Sequence, residues 1–107
     1  ILRAVMPPVK CEAFSKFLHK NYKYCIDWCG SLFWIEVLDK DDKKINKIKN
    51  FILENSGYLT ILKKSENFDF QDTLFTIDST RLMISRKIKD SFDPKKIFNP
   101  GRMYREL

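Results

Sequence analysis

Asn99 and Arg102 are the side chains of this sequence whose type and spacing best suit chemistry. They lie three apart in Phe92-Asp93-Pro94-Lys95-Lys96-Ile97-Phe98-Asn99-Pro100-Gly101-Arg102-Met103. A carboxamide offers both donors and an acceptor, and a guanidinium offers a planar fork of donors that matches carboxylate or phosphate. Together they can orient an anion or a polar ring edge. Elsewhere there is little to carry a reaction. The one histidine, His19, stands beside Lys20 on a predicted helix and is expected at the surface. No Ser-His-Asp order, no cysteine with a matching histidine and no close carboxylate pair in an apolar setting occurs, so no catalytic residue is assigned. Cys11, Cys25 and Cys29 are expected to be reduced thiols. Cys25-x-x-x-Cys29 lacks the second ligand pair that a structural zinc site needs, and no metal is expected. Gly30, Gly57 and Gly101 are the only glycines, too few for a G-x-G-x-x-G or Walker loop, so no phosphate cradle is expected.

The elements around Asn99 and Arg102 must hold them in place. Each proline fixes its own φ and pushes the preceding residue toward extended backbone. Asp93 before Pro94 is therefore a helix stop or the cap of a new short turn. Asn99-Pro100-Gly101 is turn chemistry, with Pro at the second position and Gly free to take φ > 0 at the third. The chain after the last helix is thus expected to follow a stiff path.

Hydrophobic periodicity orders the rest. A strand over 2–6 stops at Pro7-Pro8, and a helix over about 9–20 buries Cys11, Phe14, Phe17 and Leu18. Alternation predicts a strand over 22–29, with Tyr22, Tyr24, Ile26 and Trp28 on one face. Gly30-Ser31 reads as a two-residue hairpin turn, followed by an apolar strand over 32–38 that should be central or covered on both faces. Asp39 or Asp41 caps a helix over about 42–55, with Ile45, Ile48, Phe51 and Ile52 on its core face and Gly57 as its C-terminal cap. A strand follows at 58–62, then a polar loop over 63–69. Leu74 to Ile77 reads as a short extended segment. Asp78 or Ser79 caps a last helix near 80–91, with Ile84 and Ile88 inward and Arg81, Arg86, Lys87 and Lys89 outward. Strand-helix-strand-strand-helix-strand is the split βαβ, ferredoxin-like order, an antiparallel α+β sheet with both helices on one face. A C-terminal helix and a proline-rich tail are appended.

With 107 residues, 44% apolar and 14% aromatic, the chain reads as one folded domain over 1–107. No apolar run approaches the ~20 residues of a membrane helix, and no secretory signal is recognisable. The start at Ile1, without an initiator Met, suggests a piece of a longer protein. The net charge of +6 can attract phosphate, nucleic acid or an acidic partner. However, Lys43, Lys44, Lys47 and Lys49 stand among Asp39, Asp41 and Asp42 and read as a solvated helix face. Trp28, Phe33 and Trp34 near the hairpin are core if they face inward and a covered interface if they face outward.

Residues 89–104, a helix ending in Lys-x-x-Phe-Asp-Pro and then Ile-Phe-Asn-Pro-Gly-Arg-Met-Tyr, resemble the C-terminal signature of FAD-linked oxidases of the vanillyl-alcohol-oxidase type. Within that family the glycolate oxidase branch is most similar. The resemblance implies a C-terminal cap or substrate domain that closes over the isoalloxazine ring, most of the FAD being held by an N-terminal domain absent from these residues. It implies that Asn99, Pro100, Gly101 and Arg102 lie near the cofactor, where Asn99 can bond a flavin edge or the neighbouring domain's backbone. Arg102 can pair with a carboxylate or stabilise negative charge on the flavin. The alternative for both is a structural tail lock. It further implies oxidation of glycolate or a similar small 2-hydroxy acid to the 2-oxo acid, by the intact subunit and not by this piece alone. The partners implied are the N-terminal FAD domain, a second flavoprotein subunit and an iron–sulfur subunit, with a cytoplasmic location or attachment to the inner face of the membrane through partners. A D-lactate dehydrogenase or another FAD-linked oxidase shares these features. Two readings outside the family share the element order. An RNA-binding module fits the basic charge and strand aromatics, but Leu32 to Leu38 lacks the Lys/Arg-Gly-Phe/Tyr-Gly pattern. A regulatory domain that dimerises through its sheet needs no flavoprotein partner.

Overall fold

The computed structural model describes residues 1–38, 42–63, 76–102 and 104. Along the chain run β1 (Leu2–Val5), α1 (Cys11–Leu18), β2 (Lys23–Asp27), β3 (Leu32–Glu36), α2 (Asp42–Glu54), β4 (Tyr58–Ile61) and α3 (Ser79–Phe92). The sheet order is β2-β3-β1-β4 and every neighbouring pair is antiparallel. This is the ferredoxin-like α+β arrangement, with α1 and α2 on one face and α3 added at the C-terminal end.

Strand alternation builds the core. Leu2, Ala4 and Met6 point to the helix face, as do Phe33, Ile35, Leu59 and Ile61, and all are buried. Phe14 and Leu18 of α1 and Ile48 and Ile52 of α2 close over them. Phe14 is fully enclosed: its ring meets Phe33 edge-on at 4.8 Å and stacks on Phe51 at 5.2 Å. β3 is central, as its apolar run requires. β2 is an edge strand, which explains why Ile26 stays partly exposed on the core side.

Two turns differ from expectation. Asp27 pairs with Leu32, so the β2–β3 connection is the four residues Trp28 to Ser31 instead of Gly30-Ser31. Trp28, Cys29 and Gly30 all take positive φ, which breaks the alternation. Trp28 leaves the Tyr24 side and its ring lies 5.3 Å from the guanidinium carbon of Arg3. Arg3, between buried Leu2 and Ala4, belongs to the sheet face opposite the helices. Gly30 is needed both for its φ of 89° and because a Cβ there would stand 2.9 Å from the Cys11 sulfur. At the end of α2 the left-handed residue is Ser56 (φ 58°), not Gly57. Ser56 N–H donates to Leu53 O, and Gly57 N–H donates to Ile52 O, a six-to-one closure of the helix end.

The free edge of β4 is bonded by Thr76. Its N–H donates to Leu59 O at 2.9 Å, and its buried hydroxyl accepts from Leu59 N–H at 2.8 Å. Of the extended segment expected at 74–77, Thr76 and Ile77 are described and form no assigned strand; residues 74 and 75, the 63–69 loop beyond Lys63, and the caps Asp39 and Asp41 lie outside the described residues. Among the described residues no helix is long and apolar enough to cross a membrane.

Candidate functional site at the tail of the last helix

Asp78 caps α3, its carboxylate accepting from Arg81 N–H at 2.9 Å. Beyond its first turn, where Arg81 stacks on Tyr58 at 4.9 Å, α3 leaves the body. No residue of α3 is buried, and Ile84 and Ile88 are exposed rather than inward. The cause is topological: α1 and α2 already fill the helix face of the four-stranded sheet. Phe92 is 84% exposed and Phe98 68%, with Ile97 exposed beside them. α3 and the tail thus carry a continuous apolar side, of the sort that a further surface normally covers.

Asp93 stops α3 and organises the tail beyond it. Its N–H donates to Lys89 O at 2.7 Å and its carbonyl accepts from Lys96 N–H at 2.9 Å. Its carboxylate accepts from Ile97 N–H and Phe98 N–H, both at 2.9 Å, and from the Lys89 ammonium at 2.6 Å. Lys89 also donates to Phe98 O. Lys89 therefore faces the tail, a correction to its expected outward position. Asp93 is 5% exposed. The Lys89 bond, with the two backbone donors, outweighs burial and holds its pKa down at about 2.

The expected turn is present: Arg102 N–H donates to Asn99 O at 3.3 Å, with Gly101 at φ 68° in the third position. Asn99 (φ 47°) and Lys96 (φ 52°) are left-handed without being glycine; asparagine tolerates this region, whereas Lys96 carries a strain of about 1–3 kcal/mol that persists only where surrounding bonds determine the path. The structure brings Asn99 and Arg102 together, the guanidinium donating to the Asn99 side-chain oxygen at 3.4 Å. Asn99, Pro100, Gly101 and Arg102 are all exposed, and among the described residues no carboxylate pairs with Arg102. With its oxygen engaged, Asn99 joins Arg102 in offering N–H donors, a set that suits a carboxylate, a phosphate or a carbonyl edge. The two line a groove along α3 together with Ile88, Phe92, Phe98 and Tyr104. Sequence reading missed Lys89 as part of the site. Its signal was the four-residue spacing to Asp93, which puts the two on one helix face.

The other candidates lie apart. His19 is exposed at the end of α1. The three cysteines are free, Cys11 half-buried and Cys25 and Cys29 exposed. Phe33 is core, whereas Trp34, half-buried, and Trp28 lie with Arg3 on the sheet face opposite the helices.

No family model and no solved structure matches the chain. It is similar to the glycolate oxidase subunit GlcE of Escherichia coli (strain K12), 34% identical over 83 residues, which cover 77% of this chain and 21% of that protein. The matched part is thus about a fifth of the relative's length. The likeness relates the chain to an oxidase subunit.

Proposed function

We propose that this chain is the C-terminal cap or substrate domain of an FAD-dependent oxidoreductase subunit. The intact subunit oxidises glycolate or a similar small 2-hydroxy acid to the 2-oxo acid, and the isolated domain does not turn over. The observation that carries the reading is the Asn99–Arg102 turn: the tail that resembles the FAD-linked oxidase signature is a bonded structure presenting N–H donors. Similarity to a glycolate oxidase subunit supports the same reading. So does the uncovered apolar side of α3, which fits a domain closed against a larger neighbour. The residues present fit contact with a ring edge or a substrate carboxylate. They do not fit a pyrophosphate, which needs backbone donors or cations gathered in a cradle and would be held by the N-terminal domain. When bound, FAD supplies the two-electron acceptor for the alcohol. Asn99 donates to a carbonyl edge and Arg102 pairs with a carboxylate. Pro100 and Gly101 hold the turn between them. A second flavoprotein subunit and an iron–sulfur subunit complete the assembly, in the cytoplasm or at the inner face of the membrane.

Expression of the complete gene product and its absorbance spectrum tests this. Flavin bands in that product, absent from residues 1–107 alone, are expected. A complete product that stays colourless after FAD is added overturns the reading.

A further inference from the structure

We propose that Lys89 and Asp93 are positioning residues for the cofactor-facing turn, acting through Asn99 and Arg102. This rests on the function proposed above and deepens it. Asp93 commits its carboxylate and its carbonyl to the segment that carries the turn. Its carboxylate ties down the N–H groups of Ile97 and Phe98, the two residues before Asn99. Its carbonyl closes the Pro94-Lys95 turn through Lys96 N–H. Lys89 joins the two ends of the segment, bonding the Asp93 carboxylate and the Phe98 carbonyl at once. Phe98 is thus held by both its N–H and its C=O, and Asn99 comes directly after it in a left-handed conformation, one that asparagine tolerates better than most residues.

A simple helix stop needs less. The Asp93 N–H bond to Lys89 O is the last helical bond of α3, and the non-helical backbone of Asp93 (φ −135°, ψ 63°) with proline after it already ends the helix. What the carboxylate and ammonium add is the fixed path from α3 to Asn99. The buried side of this segment is polar and locked, while its apolar side chains Phe92, Ile97 and Phe98 are turned outward. That inversion suits a loop built to be placed against something, with its backbone set before contact. Preorganised donors cost no reordering when the ligand arrives.

The test uses Asp93→Asn and Lys89→Met, with Asn99→Ala and Arg102→Ala as references, in the complete FAD-loaded gene product. The readouts are the flavin absorption spectrum and reduction potential. Asp93→Asn and Lys89→Met are expected to shift both in the direction of Asn99→Ala, and to add nothing in an Asn99→Ala/Arg102→Ala background. Either positioning variant suffices if the other fails to fold. If they lower thermal stability but leave spectrum and potential unchanged, while Asn99→Ala and Arg102→Ala move them, the positioning role is wrong and the proposed function stands. If Asn99→Ala and Arg102→Ala move neither, the cofactor-facing turn is wrong and this inference falls with it.

Discussion

The Lys89 ammonium lies 2.6 Å from the Asp93 carboxylate across one helical turn, the same distance and spacing as Lys16 to Glu12. The environments differ. The Lys89 and Asp93 side chains are 19% and 6% exposed, those of Lys16 and Glu12 75% and 80%. Exposed pairs of this kind add little to stability, because water and salt screen them and two long side chains must be immobilised. Glu12→Gln should therefore leave the melting temperature unchanged within error. Asp93→Asn, which replaces the shared acceptor of Ile97 and Phe98, should lower it measurably. Thermal unfolding by circular dichroism checks both.

The pH dependence comes from the same pair. Asp93 titrates at about 2 in the folded chain, against roughly 3.9 for an unperturbed aspartate. The unfolded chain thus takes up this proton first on acidification. The stabilising contribution is complete above the ordinary carboxylate range and declines as pH falls through the folded value. The amide resonances of Ile97 and Phe98, followed by NMR, should titrate with a midpoint near 2. A midpoint at the ordinary aspartate value would mean that the Lys89 bond does not hold in solution.

At the end of α2 two adjacent residues should respond in opposite ways. Ser56→Gly relieves a left-handed serine and should stabilise by about 0.5–1 kcal/mol after the extra chain entropy of glycine is counted. Gly57→Ala should destabilise, because its Cβ would meet Val5 O at 2.8 Å and Ile52 Cγ2 at 2.9 Å, and the backbone oxygen has no room to move. Urea denaturation of the two variants measures both.

Thr76→Val keeps the shape of the β4 edge and removes the acceptor of the buried Leu59 N–H. Leaving that donor without a partner should cost about 1–3 kcal/mol. An unchanged urea midpoint would mean that the edge is not closed by Thr76.

The core of this fold was legible in the sequence because its signals are periodic. Phe14, Leu18, Ile45, Ile48 and Ile52 recur at helical spacing and are buried where that spacing puts them. The Asn99-Pro100-Gly101 turn was legible because proline and glycine restrict φ directly. Three other features depend on how separate parts of the chain come together and were not. The length of the β2–β3 turn is set by where Asp27 meets Leu32 and by the Cys11 sulfur beneath Gly30. The exposure of Ile84 and Ile88 depends on the sheet face being already full, which no local pattern in α3 records. Lys89 reads as one more surface lysine until the tail is seen to fold back onto it.

The measurement that tests the central claim most directly is anaerobic addition of glycolate to the complete, FAD-loaded gene product, with D-lactate run beside it. Loss of the oxidised flavin bands with formation of the 2-oxo acid is predicted, and Arg102→Ala should weaken it. Flavin that stays oxidised with both acids, in protein that binds FAD, would contradict the assignment to 2-hydroxy acid oxidation.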